Sequence, residues 1–223
     1  MPSRSRIFTG KTRLNIEKAV ISLINSEKDL MSSRTINSPR AVGDAIQGLL
    51  ESKFDKLLPK NILTEYNSAF ARRSMADFAF TDNDGFYYVV DNKTHNLDTA
   101  FNMPNLTSVE RLSRFYEDDS NYFTLLMVAY KVEGEKVDIK TCHFVPIEHL
   151  DWDCLTIGAL GWGQIQIANS NNIRINQKQT RKDWMLQLCD TLAEFYPKEI
   201  EKITGRIKHF KKIRKHWEKH PNY

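Results

Sequence analysis

The sequence predicts an α/β fold with a mixed central β-sheet flanked by helices. Three observations predict it. A strand–turn–strand pattern runs from Ala76 to His95, and two further β-like runs follow at 121–132 and 137–146. Segments with helical apolar spacing precede and follow these strands, at 12–28, 38–58 and 180–220. The chain has 223 residues, of which 41% are hydrophobic. That is enough for one core, so a single domain is expected over 1–223, with a helical C-terminal segment at 180–220.

The bounds on function are broad. The net charge is +4, modest but unevenly placed along the chain. The three cysteines, Cys142, Cys154 and Cys189, are an odd number at no metal-like spacing. They point to free thiols in a reducing cytoplasm. The start Met-Pro-Ser-Arg-Ser-Arg lacks the apolar core of a signal peptide, and no apolar run is long enough to span a bilayer.

Taken in order, 12–28 carries Leu14, Val20, Ile21, Leu23 and Ile24 on a broad apolar side. Ser38-Pro39 is a helix start, Ser as cap and Pro in the first turn, and Pro59 stops that helix near Leu58. Residues 60–75 read as a linker with a possible first strand. Arg72 and Arg73 close it, equally suited to binding phosphate or to standing in solvent.

The 76–95 stretch is the one around which the chain is organised. Phe78, Phe80 and the run Phe86–Val90 are strand formers, and Asn83-Asp84-Gly85 reads as a three-residue loop with Gly85 left-handed. The register then sets Asp82 opposite Phe86 and Asp77 opposite Asp91. Strand side chains alternate, so Asp77, Asp91 and Lys93 share one face. Two carboxylates held together repel unless a positive charge sits between them. Mg2+ suits such a place, since it needs only one or two carboxylates, and a neighbouring lysine can serve an attacking water. An exposed hairpin face with three solvated charges is the plainer reading of the same trio.

Asp77 followed by Val89-Val90-Asp91-Asn92-Lys93 resembles the motif of the PD-(D/E)xK nuclease superfamily, with Ala76 in place of its proline. The continuation Lys93-Thr94-His95-Asn96 to Asn105, with Val42-Gly43-Asp44-Ala45-Ile46-Gln47-Gly48-Leu49 upstream, resembles the HincII-like type II restriction endonucleases. Gln164-Ile165-Gln166-Ile167 matches more weakly. The resemblance implies a restriction-endonuclease-like fold. It also implies Mg2+-dependent, sequence-specific cleavage of double-stranded DNA at a near-palindromic site, leaving 5′-phosphate and 3′-hydroxyl ends. Asp77, Asp91 and Lys93 would be catalytic; Asp77, Asp91 and the main-chain carbonyl of Asn92 would ligate the metal. It implies a homodimer and a cognate DNA methyltransferase as genetic partner. A repair or recombination nuclease, or a DNA-binding module that does not cut, remain the alternatives. Asp44 resembles the acid that such nucleases carry on the preceding helix, with a charge-tuning role; an acid suited to the helix dipole is the alternative.

After the hairpin, Thr94–Pro104 reads as a loop leading to a helix from Asn105 or Thr107 to Glu117, with Leu106, Val109, Leu112 and Phe115 inward. Asparagine is ordinary in loops and caps. The resemblance places Thr94, Asn96, Asn102 and Asn105 against DNA, the last two over the central bases. The 121–132 and 137–146 runs, joined by Glu133–Lys136, read as a hairpin continuing the sheet. His143 and His149 there are taken as structural or surface residues. The glycines at 158, 161 and 163 lead into a strand 164–168, expected in the same sheet. They lack the lysine and hydroxyl of a P-loop, so nucleotide binding is rejected. Gln164 and Gln166 form one face of that strand, and the resemblance assigns it, with Gly161, to base reading.

The C-terminal third reads as a helix 180–196 broken by Pro197, then a second helix 198–220. The first carries Trp184, Leu188, Leu192 and Phe195 on one side. The second carries Ile200, Ile203, Ile207, Phe210, Ile213 and Trp217 on one side, and Lys208, Lys211, Lys212 and Lys215 among the basic residues elsewhere. Phosphate binding is the favoured reading of those lysines. A solvated face or a membrane-surface helix are the alternatives.

Overall fold

The structure, a computed structural model, describes residues 4–27, 30–31, 38–68, 75–134 and 136–221. The chain divides into two compact units, Met1–Lys178 and Gln179–Tyr223. Arg72 and Arg73 lie outside the described residues.

The first unit is a mixed α/β fold built on a five-stranded sheet. Helix α1 spans Thr12–Ser26 and α2 spans Pro39–Lys53. Ser38 caps α2 by accepting from the Ala41 N–H, with Pro39 in the first turn. The last turn before Pro59 tightens into a 3-10 helix, Phe54–Leu57, rather than continuing as α-helix to Leu58. Strands β1 (Leu63–Asn67), β2 (Phe78–Asp82), β3 (Tyr87–Asn96), β5 (Asn121–Glu133) and β6 (Lys136–Pro146) are ordered β1-β2-β3-β5-β6. All neighbours are antiparallel except β3 and β5, which run parallel from Tyr87↔Asn121 to Asn96↔Tyr130. That long pairing keeps Thr94 and Asn96 in strand, where the sequence predicts a loop from Thr94. β5 pairs with β3 as far as Asn96, and that pairing overrides the weak strand preference of Asn92 and Asn96.

The hairpin forms in the predicted register, with Phe78↔Val90 and Thr81↔Tyr87. Its turn has a physical lock. Buried Asp82 accepts from the N–H groups of Asp84 and Phe86 through Oδ1, and from the Tyr88 hydroxyl at 2.6 Å through Oδ2. Gly85 sits at φ +83°, the left-handed conformation a side chain would strain.

α1 and α2 cover one face of the sheet. Ile16, Val20 and Ile24 of α1 and Val42, Ile46 and Leu50 of α2 join Phe54, Phe78, Tyr88 and Val90 in one core. At Gly43 the α2 backbone approaches β3 so closely that an added Cβ would stand 2.9 Å from Thr94 Oγ1. The opposite sheet face, with Val89, Leu125, Met127 and Val145, is also buried.

A second sheet, not the first, takes the strand at 164. It holds β4 (Asn105–Ser108), β8 (Gln164–Ile167) and β7 (Leu155–Gly158), all antiparallel in the order β4-β8-β7. The helix expected from Asn105 begins later, as α3 (Val109–Phe115), with Ser108 at the N-cap position but making no side-chain capping hydrogen bond. Asn105, β-branched Thr107 and Ser108 pair with β8 instead, with a bulge at Leu106, and pairing outweighs local preference over so short a stretch.

The second unit is one helix, α4 (Arg181–Trp217), capped by Thr180, which accepts from the Asp183 N–H. It passes through Pro197 without the predicted break. A proline inside a helix forfeits one bond and crowds the carbonyl four residues back, at a cost of about 3 kcal/mol, which the 37-residue run absorbs. Among the described residues no helix is long and apolar enough to cross a membrane.

Candidate active site

Asp77 lies one residue before β2, and its N–H donates to the Val90 carbonyl at 2.8 Å, which carries the hairpin pairing past Phe78. Its carboxylate is held at both oxygens. Oδ2 accepts the Asn92 backbone N–H at 2.6 Å, and Oδ1 accepts from Gln47 Nε2 at 2.9 Å. Gln47 also donates to Glu51 Oε1 at 2.7 Å, so α2 reaches the site through an amide that bridges two acids. Asp44, Gln47 and Glu51 are spaced three and four residues apart and share that face of α2. Asp44 itself is exposed there.

Asp91 and Lys93 project from one face of β3, and Lys93 Nζ donates to Asp91 Oδ1 at 2.8 Å. Asp91 is 5% exposed, and its Oδ2 has no hydrogen-bond partner among the described residues. Burial pushes the Asp91 carboxyl up to about 7; Lys93 pulls it down, and the charge of Asp77 pushes it further up. Asp77 is raised as well, first by burial and then by Glu51, against the lowering pull of the Asn92 N–H and of Lys93. The three predicted groups are thus brought together and feel one another's charge. Asn92 contributes its N–H to Asp77, while its side-chain Oδ1 is buried without a partner among the described residues.

A buried carboxylate oxygen with no donor, beside a second carboxylate, is a place where a hard cation lowers the energy. Among the described residues no three His, Cys, Asp or Glu side chains gather to hold a metal ion on their own. Mg2+ keeps several waters and commonly uses one or two carboxylates, which is the donor set Asp77 and Asp91 offer.

Beyond Lys93 the same strand face carries His95, whose Nε2 lies 2.8 Å from Asn171 Oδ1. Lys93, His95, Met127, His143 and Asn171 line a cavity of about 210 Å³. His143 and His149 are half-buried, and burial lowers both imidazoles.

The amides expected at a DNA face lie on the second sheet. Asn105 pairs with Gln166 across β4 and β8, and their side chains meet, Gln166 Nε2 donating to Asn105 Oδ1 at 2.5 Å. Gln164 and Gln166 alternate with buried Ile165 and Ile167 as predicted. Gln166 lies over Gly158, where an added Cβ would stand 2.6 Å from its Oε1. Gly161 turns the chain between β7 and β8 at φ +59°. That turn exposes Leu160 and Trp162, which with Ser108, Arg111 and Gln164 line a cleft of about 460 Å³. Asn96 Oδ1 accepts from the Asp98 N–H, and the Asn102 carbonyl accepts from the Ser170 N–H, so both help shape the intervening loop. On the second unit Lys208, Lys211, Lys212 and Lys215 are all exposed on α4.

Gln47, Glu51 and His95 are site neighbours the sequence reading did not single out. The three-and-four spacing from Asp44 was the available signal for the first two. No known family model matches the chain, and no curated protein matches its sequence.

Proposed function

We propose that the chain is a Mg2+-dependent nuclease of the PD-(D/E)xK type that cuts double-stranded DNA at a specific, near-palindromic site, as type II restriction endonucleases do. The observation that carries this is Asp91: a buried carboxylate with one oxygen on Lys93, the other without a partner, and Asp77 beside it. Asp77 and Asp91, with the Asn92 main-chain carbonyl, would hold the ion. When bound, the ion would neutralise phosphate charge and lower the pKa of a water.

The chain's own residues account for the rest. The Asn92 N–H and Gln47 fix both oxygens of Asp77, so the carboxylate is oriented before substrate arrives. Lys93, anchored by Asp91, places an ammonium where negative charge builds on the phosphoryl oxygens. Hydrolysis consumes one water. Its oxygen bonds to phosphorus as the bond to the 3′ oxygen breaks, and a proton ends on that oxygen, leaving a 5′-phosphate and a 3′-hydroxyl. With Gln166 Nε2 bonded to Asn105 Oδ1, the Asn105 amide N–H groups and the Gln166 carbonyl are left for a partner, and a donor beside an acceptor is the pair that an adenine edge requires. The lysines of α4 would supply sequence-independent affinity for phosphate.

Digestion of one plasmid tests the reading. Discrete fragments that appear with Mg2+ and vanish with EDTA are expected. Cleavage confined to junctions or lesions would reassign the chain to repair, and binding without cleavage would make it a DNA-binding module.

A further inference from the structure

The last 32 residues of α4 carry a seven-residue apolar repeat that the nuclease reading does not use. Its first positions are Leu186, Ala193, Ile200, Ile207 and Arg214. Its fourth positions are Cys189, Tyr196, Ile203, Phe210 and Trp217. Arg214 is the one charged member, and every position of the seam is exposed on the single chain. Ile200, Phe210 and Trp217 are 65%, 66% and 62% exposed. A repeat kept over more than four heptads on one continuous helix is the pattern of a coiled coil, in which each seam side chain enters a hole on a facing helix. Water is a poor neighbour for such a stripe, which extends over most of a helix about 55 Å long.

We infer that the seam is filled by the α4 helix of a second copy of this chain, running antiparallel. Two observations select that occupant and direction. The first is charge. Residues 190–201 carry four acids (Asp190, Glu194, Glu199, Glu201) and one lysine, whereas 202–219 carry eight Lys and Arg and one Glu. Antiparallel pairing sets the acidic half of each helix along the basic half of the other; parallel pairing sets the two basic halves side by side. The second is register. With Ile200 facing the partner's Ile203, Ile207 faces the partner's Tyr196, small Ala193 faces the partner's bulky Phe210, and Leu186 faces the partner's Trp217. In that register the flanking position Asp190 meets the partner's Lys211, and Leu192 meets the partner's Ile213. In the parallel arrangement Arg206 would instead meet the partner's Lys211, which repels. Lys208, Lys212 and Lys215 lie off the seam and stay available to phosphate. The nuclease reading expects a dimer without saying which surface makes it, so the charge exchange carries the test: a dimer indifferent to that exchange would overturn only the pairing, and a dimer that obeys it but cuts nothing only the nuclease.

Sedimentation velocity on the full chain, with and without charge changes at the flank, tests it. A wild-type dimer is expected. Lys211→Glu should raise the dimer dissociation constant roughly 10-fold, and adding Asp190→Lys should restore it, because the exchanged pair attracts again. Ile203→Asp with Ile207→Asp should give a monomer whose helix content and melting of the first unit are unchanged. If that variant loses its helix, the charge exchange alone decides. Tighter association of Lys211→Glu would mean a parallel pair and overturn the proposal. So would a wild-type monomer at about 100 µM, or a monomer that sediments with anionic lipid vesicles.

Discussion

Replacing Asp91 by Asn should stabilise the metal-free protein at alkaline pH while removing its activity. The carboxyl is buried, and its proton is held up to about pH 7 against an ordinary value of 3.8. At about 1.4 kcal/mol per pH unit, that gap corresponds to about 4 kcal/mol between holding the charge folded and holding it unfolded. The sign follows from which form the fold prefers. A folded-state pKa raised above the unfolded one gives stability that is fully present below about pH 4 and lost as pH rises through about 7. Asn carries no proton to lose and keeps an oxygen for Lys93. Denaturant unfolding in EDTA from pH 4.5 to 8.5 should therefore show wild type losing stability across the range and Asp91→Asn losing little. The variant should lead by up to about 4 kcal/mol at pH 8.5, the attraction of Lys93 being already contained in the raised value. Mg2+ should stabilise the wild type at pH 8.5 and leave Asp91→Asn unmoved. Parallel pH profiles, or a variant less stable than wild type at pH 8.5, would refute this account of the cluster.

Two other perturbations separate positioning from reading. Lys208→Gln with Lys212→Gln and Lys215→Gln, all off the seam, should weaken binding to any DNA about equally and flatten the dependence of log affinity on log salt, measured by fluorescence anisotropy. Asn105→Ala should lose roughly 1–3 kcal/mol of discrimination at one base pair on singly substituted duplexes. Because α3 begins only at Val109 and the Asn105 side chain bonds Gln166 rather than the helix start, melting should change little, and Gln166→Ala should relax the same position.

The hairpin was the most legible part of the fold because its turn chemistry is local. Asn83-Asp84-Gly85 admits few conformations, and once the turn is set, alternation alone brings Asp77 to Asp91 and Lys93. α1, α2, β5 and β6 were legible from apolar period for the same reason. In the second sheet only β8 was legible, from the alternation of Gln164 and Gln166 with Ile165 and Ile167. β4 and β7 are four residues each with no clear alternation, and β4 pairs with a strand far off in sequence, so its pairing had to be known before the strand was. Gln47 and Glu51 were hidden by type: an amide and an acid on an amphipathic helix look like solvent-facing residues until a strand brings Asp77 beneath them. Pro197 misled because a proline stops a short helix more surely than one with twenty further residues to propagate.

The central claim is that Asp77, Asp91 and Lys93 act together on a phosphodiester, and Lys93 tests it most directly. Its ammonium contacts Asp91 but is itself partly exposed, so its loss should leave the fold and the DNA affinity largely intact. The measurement is the single-turnover rate of plasmid cleavage in Mg2+ by wild type and Lys93→Ala, with binding followed in parallel. Discrete fragments from wild type bearing 5′-phosphates, and a rate at least about 100-fold lower for Lys93→Ala at unchanged affinity, are predicted. Equal rates for the two proteins would contradict the account.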